Sequence, residues 1–107
     1  MKLITAIVNR EDSKAVNSEL VAAGFQVTKL STTGGFLMAG NVTMLIGTDD
    51  EKVDECISII AQFSSQRNEA VPHTASYGVS VPSALPLEVT VGGATVFVTN
   101  VERFEKL

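Results

Sequence analysis

Two stretches decide the fold: Leu3-Ile4-Thr5-Ala6-Ile7-Val8, and, further along, Val42-Thr43-Met44-Leu45-Ile46. Both are short, rich in β-branched residues, and apolar at consecutive rather than alternate positions. This pattern is typical of strands that are buried on both faces. We therefore predict strands at residues 3–8 and 42–47, in a sheet whose two faces are both covered.

A helix and a further strand are predicted between these two stretches. The possible N-caps of the helix and its apolar positions are Asn9, Asp12 and Ser13, and Val16, Leu20 and Ala23. Gly24 follows where a glycine commonly ends a helix. A strand over residues 25–33 comes next, with Val27 and Thr28 on opposite faces.

The second half of the chain predicts another helix and a hairpin. Thr48 and Glu51 have the spacing of a capping box, and the apolar stripe that follows is Val53, Cys56, Ile57, Ile60 and Ala61. Residues 67–86 keep no period, which indicates a long flexible loop. Residues 87–91 and 94–98 are predicted to pair as a hairpin closed by Gly92-Gly93.

The order βαββαβ, with an extra C-terminal hairpin strand, predicts an α+β, ferredoxin-like sandwich formed by one domain over residues 1–107. Two helices can cover only one face of such a sheet. Since no residues remain to cover the other apolar face, we expect other copies of the chain to do so. The sequence thus predicts a homo-oligomer.

Composition excludes several classes of protein. The 107 residues carry a net charge of −4, which does not favour binding to long nucleic acids. Cys56 is the only cysteine, so the chain has no internal disulfide and lacks the ligands of a structural zinc site. Neither a signal peptide nor a membrane span is predicted, and we expect a cytoplasmic protein.

The unusual segment is residues 34–40, in which Phe36 and Leu37 lie among the apolar residues between Gly34-Gly35 and Gly40. Glycines allow close approach of the backbone, and apolar side chains in a loop need a cover. That cover is either an aromatic ligand or a neighbouring subunit. Nearby residues that could complete a pocket are Thr28, Thr32, Thr33, Asn41 and Gly47.

The residues point to binding rather than to catalysis. The segment is not a Walker phosphate loop, because no Gly-Lys-Ser/Thr follows it, and it is not a dinucleotide fingerprint. His73 has no identifiable partner for general-base chemistry. Cys56 lies on the apolar stripe of the second helix, where we expect a core residue, and the acidic residues 49–51 are explained by the helix dipole rather than by a metal.

The block Thr28-Lys29-Leu30-Ser31-Thr32-Thr33-Gly34-Gly35-Phe36-Leu37, with Gly40-Asn41 and Gly47, closely resembles the PII-like cyclic di-AMP receptor family of Gram-positive bacteria. Val53-Asp54-Glu55 and Val91-Gly92-Gly93-Ala94-Thr95-Val96-Phe97-Val98 match the same family. The resemblance implies a homotrimer that binds one cyclic dinucleotide in each cleft between subunits. It further implies a non-enzymatic signalling role, with no cofactor, in which loops rearrange and engage an unknown downstream partner.

Carried over position by position, the resemblance implies these ligand-binding residues: Thr28, Gly35, Phe36, Leu37, Asn41 and Gly47, with Gln26 and Phe97 as further positions. Threonine and asparagine can hydrogen-bond a phosphate or a base edge, and Phe36 and Leu37 can pack on an adenine. Family members carry arginine where this chain has Gln26. Loss of a charge-assisted contact of roughly 1.5–3 kcal/mol predicts about ten- to a hundred-fold weaker binding.

Other functions stay open at this point. The chain could be a PII-like trimer that binds another adenine nucleotide or no ligand, or an ordinary PII protein that senses ATP and 2-oxoglutarate. It could also be a small ferredoxin-like enzyme that handles phosphate, with Arg10 after the first strand; no glycine-rich cradle surrounds that arginine.

Overall fold

The computed structural model describes residues 1–30, 40–65, 67–71 and 87–107. Its elements are β1 (Lys2–Asn9), α1 (Arg10–Ala22), β2 (Val27–Leu30), β3 (Asn41–Thr48), a 3₁₀ turn (Asp50–Lys52), α2 (Val53–Phe63), β4 (Arg67–Val71), β5 (Leu87–Val91) and β6 (Ala94–Asn100).

Four of the strands form an antiparallel sheet in the order β2-β3-β1-β6. β1 pairs with β3 over its whole length, from Lys2 opposite Thr48 to Asn9 opposite Asn41. On its other side β1 pairs with β6 over seven residues, ending at Val8 opposite Ala94. With α1 and α2 this is the predicted βαββαβ arrangement.

The predicted C-terminal hairpin is wrong. β5 pairs with β4 in a separate two-stranded sheet, and β6 pairs with β1 instead of with β5. The free edge of β1 offers β6 a ladder of seven residue pairs, which a hairpin through Gly92-Gly93 would forgo. The fourth strand of the sandwich is therefore β6, and the chain has no extra strand after it.

The expectation that residues 67–86 lack regular structure is wrong for residues 67–71, which form β4. Its five residues pair with β5, from Arg67 opposite Val91 to Val71 opposite Leu87. The sequence Arg-Asn-Glu-Ala-Val has little β propensity of its own, so pairing with β5 decides the structure here. Residues 72–86 lie outside the described part of the chain.

The helix ends agree only in part with the prediction. Asn9 caps α1, accepting a hydrogen bond from the Glu11 N–H at 2.8 Å, and Gly24 follows the helix with a φ of +95°. The predicted capping box does not form, because Thr48 ends β3 and Asp49 is the N-cap of the 3₁₀ turn. Neither that turn nor α2 has a side-chain cap.

The core lies between the helices and one face of the sheet. Its buried residues are Ile4, Ala6, Val8, Val16, Leu20, Phe25, Met44, Ile46, Cys56 and Ile60. In β1 and β3 these are the even-numbered positions, so the odd-numbered ones face away from the helices. Ala23 and Ala61, predicted on apolar stripes, are exposed. No helix in the described ranges is long and apolar enough to cross a bilayer.

Neighbouring residues of α1 provide a matched test of this core. Leu20 is fully buried, whereas Val21 is 54% exposed. Leu20→Ala should lower the free energy of unfolding by about 2–5 kcal/mol, through lost burial and the cavity left behind. Val21→Ala should change it by less than about 0.5 kcal/mol. Urea unfolding measures both, and equal effects would contradict this assignment of the core.

Candidate functional site

The described candidate residues lie on the sheet face that the helices leave uncovered. In β3, Asn41 and Gly47 are odd-numbered, like the other residues of that face. Thr28 is opposite Leu45, Leu45 is opposite Thr5, and Thr5 is opposite Phe97, so the four form one row across the sheet. We call this side the outer face; the strand pairing alone places the candidates on it.

The outer face is markedly apolar for a surface without a covering layer. Leu3, Ile7 and Leu45 are half-buried on it, while Leu30 is 39% and Phe97 54% exposed. Antiparallel sheets with one solvated face usually alternate apolar and polar residues. This alternation is missing here, so the outer face has the character of a surface that binds something.

One cleft of about 250 Å³ lies at the Gly47 end of this face. Its lining includes Gln26, Gly47, Asp49, Lys52 and the Met1 side chain. A β-carbon on Gly47 would lie 3.1 Å from the Met1 methyl carbon, so a side chain there would force Met1 to move. Glycine keeps this end of β3 open to close approach.

A second cleft, of about 430 Å³, lies at the Asn41 end. It is lined by Ile7, Asn41, Gly92, Gly93, Ala94 and Thr95. The backbone before Asn41 is fixed by a hydrogen bond of 2.6 Å from the Arg10 N–H to the Gly40 carbonyl oxygen. Gly92 and Gly93 have φ values of +81° and +84°, a conformation that favours glycine.

These positions are too far apart to form a single pocket in one chain. Asn41 and Gly47 are six residues apart on β3, which is about 20 Å in an extended strand. Thr28 and Phe97 are separated by three strand spacings, or about 14 Å. Gly35, Phe36 and Leu37, together with Ser31 to Thr33, lie outside the described residues. What the strands bring together is a face with a cleft at each end.

The groups on this face are suited to hydrogen bonding and packing. Thr28 and Asn41 on this face, and Gln26 in the Gly47 cleft, offer a hydroxyl and two carboxamides, none of which bonds to the part of the chain that the structure describes. They can donate to and accept from a base edge or a phosphate. The exposed ring of Phe97 can pack against a flat aromatic group.

Two features of the clefts were missed or misassigned from the sequence. Gly92-Gly93 was predicted as a hairpin turn, but it borders the Asn41 cleft; a double glycine is equally typical of both roles. Lys52 lines the Gly47 cleft and stood out in no motif. The sequence does not show that Lys52 lies near Gly47, because the two residues are brought together by the packing of the start of α2 against the end of β3.

A third cleft, of about 360 Å³, lies between α2 and the start of β6 and contains none of the predicted ligand-binding residues. Its lining is mainly apolar and includes Ile57, Ile60, Ala61, Ala94 and Val96. Among the described residues, no three His, Cys, Asp or Glu side chains are grouped to hold a metal ion. His73 lies outside the described residues.

Cys56 is a core residue, as predicted. It is fully buried, and burial, with a smaller contribution from the charge of Glu55, raises the pKa of its thiol from 9.0 to about 11. The thiolate is the reactive form of cysteine, so this side chain is not a nucleophile at neutral pH.

The raised pKa of Cys56 predicts protection and a pH effect. Iodoacetamide at pH 8 should alkylate the native protein more than about tenfold more slowly than the urea-unfolded chain. The Cys56 thiol ionises near pH 9 in the unfolded chain and near pH 11 in the folded one. The free energy of unfolding should therefore fall as the pH rises between these two values. Equal alkylation rates in both states would contradict the burial.

Comparison with known proteins finds similarity over the whole chain. The family model described as "Cyclic-di-AMP receptor" matches residues 1–107. A crystal structure of a functionally unknown protein from Pediococcus pentosaceus ATCC 25745 is similar with a TM-score of 0.76 and 39% sequence identity. That similarity covers 99% of this chain and 96% of the other.

Proposed function

Because the chain belongs to the cyclic-di-AMP receptor family, we propose that it binds cyclic di-AMP against its outer face, in clefts between the subunits of a homotrimer. Family membership makes it a cyclic di-AMP-binding signalling protein and a receptor rather than an enzyme. The proposal treats residues 1–107 as one PII-like domain and retains the cytoplasmic location expected from the sequence.

The single observation that carries the proposal is the common face of the candidate residues. Thr28, Asn41, Gly47 and Phe97 come from three strands, and the strand register puts them all on the face without helices. The register that forms the core brings these residues, drawn from separate parts of the chain, onto one surface. Their common position supports a shared ligand surface.

The chemistry of the face fits a cyclic dinucleotide. Such a ligand has two flat adenines and two phosphodiesters. Thr28, Gln26 and Asn41 supply donors and acceptors for base edges and phosphate oxygens. Phe97 supplies an exposed ring for packing, and we place Gly35, Phe36 and Leu37 around the same ligand.

The apolar part of the outer face supports assembly of several copies. Leu3, Ile7 and Leu45 are half-buried in a single chain and would be covered by a neighbouring subunit. Covering such a face contributes about 25 cal/mol for each Å² of apolar surface removed from water. A head-to-tail contact whose rotation closes forms a ring, and a trimer is the smallest such ring.

A ligand in the Asn41 cleft would contact residues at the ends of two segments that connect strands. Asn41 is the first residue of β3 after the segment 31–40, and Gly92-Gly93 joins β5 to β6. A ligand that binds one conformation of these residues more tightly than another shifts the conformations of the attached segments. This is the route by which we propose that binding is relayed to a downstream partner.

Titration calorimetry with cyclic di-AMP tests the proposed ligand, and separate titrations with cyclic di-GMP and ATP serve as controls. We expect selective binding near one ligand per subunit. Asn41→Ala should weaken it about three- to tenfold through lost hydrogen bonds, without changing the oligomeric state. Asn17→Ala, in α1 and off the outer face, is the control. Tighter binding of ATP, or no binding, would overturn the proposed ligand.

Sedimentation equilibrium tests the assembly independently of the ligand. We expect the unaltered protein to sediment as a trimer of 11.3 kDa chains. Phe97→Glu should shift it toward monomer, because a carboxylate would have to be buried against the neighbour. Val21→Glu, an equally exposed position on the helix side, should leave the trimer intact. A monomeric unaltered protein would contradict the covered outer face.

A further inference from the structure

Lys52 borders the same cleft as Gln26 and Gly47. It lies where the 3₁₀ turn meets α2, and its backbone N–H donates to the Asp49 carbonyl oxygen at 3.0 Å. Its side chain is exposed, and its ammonium group has no ion pair or hydrogen bond within the described ranges. The charge is therefore available to a ligand that enters this cleft.

The other charges around the cleft increase the importance of this lysine. The Met1 amino group pairs with Asp50 at 3.2 Å. The remaining charged side chain on the described lining is Asp49. With the Met1 amino group neutralised by Asp50, the charge that remains at the cleft without Lys52 is that of Asp49, which would repel a phosphodiester.

Stability alone does not explain a lysine at this position. Lys52 has helical backbone angles, with a φ of −100° and a ψ of −2°, and lies in the first turn of the helical segment that begins after the extended residue Asp49. A positive charge in the first turn opposes the helix dipole, which favours acidic residues there. A residue that breaks a local rule without a compensating contact is expected where function requires it.

We propose that the Lys52 ammonium group binds a phosphodiester of cyclic di-AMP in the cleft between Gln26 and Gly47, and thereby sets the affinity of that cleft for the ligand. The contact is a charge-assisted hydrogen bond from Nζ to a phosphate oxygen. This inference rests on the proposed function and adds to it a cationic residue from a different element, the start of α2.

Calorimetry at low and high salt tests this role with matched variants. Lys52→Gln should weaken cyclic di-AMP binding about three- to tenfold at low salt. The difference should shrink at high salt, because the contact is partly exposed to solvent and is screened. Lys52→Arg should retain the affinity. Lys14→Gln, which removes an exposed charge from α1 outside the cleft, should bind like the unaltered protein.

Two further measurements separate a ligand contact from a structural role. Asp49→Asn should tighten binding, since it removes the negative charge beside Lys52. Thermal unfolding of Lys52→Gln should give an unchanged or higher Tm, because an unfavourable charge leaves the start of the helix. Weaker binding accompanied by a lower Tm, and not restored by Lys52→Arg, would overturn the contact.

The outcomes also distinguish this inference from the function on which it rests. Equal affinity of Lys52→Gln and the unaltered protein would overturn the role of Lys52 and leave the cyclic di-AMP site standing. Failure of the unaltered protein to bind cyclic di-AMP would overturn both.

Discussion

The pairing of β1 with β3 is the constraint on which the rest of the structure depends. Eight consecutive residue pairs, from Lys2–Thr48 to Asn9–Asn41, fix the register of the two central strands. Because side chains alternate along a strand, this register sends Ile4, Met44 and Ile46 into the helices and Asn41 and Gly47 to the opposite side. A slip by one residue would exchange the two sets and expose the core. The hydrophobic core thus determines which residues lie on the outer face.

In our proposal the outer face serves two purposes, ligand binding and contact between subunits. Its apolar residues Leu3, Ile7 and Leu45 are suited to contact with another copy of the chain, whereas Asn41 and Gly47 lie at the two ends of β3, beside the clefts. A site at the margin of a subunit contact can sense the ligand and the assembly together. The overall acidic charge makes the position of each cation important, since a dianionic ligand must approach a chain that carries −4.

The central strands of the sheet could be predicted from the sequence, whereas the partner of β6, the strand β4 and the position of Lys52 could not. The consecutive apolar residues of β1 and β3 predicted both central strands and a second apolar face that the helices leave uncovered. That other copies of the chain cover this face stays a prediction. The partner of β6 could not be predicted, since Gly92-Gly93 suits a local hairpin as well as it suits a passage into a distant pairing. β4 was missed because its short sequence has little strand propensity and depends on β5 for its structure. Lys52 could not be identified, because its nearness to Gly47 comes from the end of β3 and the start of α2 folding against each other.

A crystal structure of the protein with cyclic di-AMP tests the central claim most directly. The account predicts a ligand against the outer face, between two copies of the chain, in contact with Thr28, Asn41 or Gly47 and with a phosphate near Lys52. A ligand bound on the helix side, or held entirely by one chain away from β3, would contradict it.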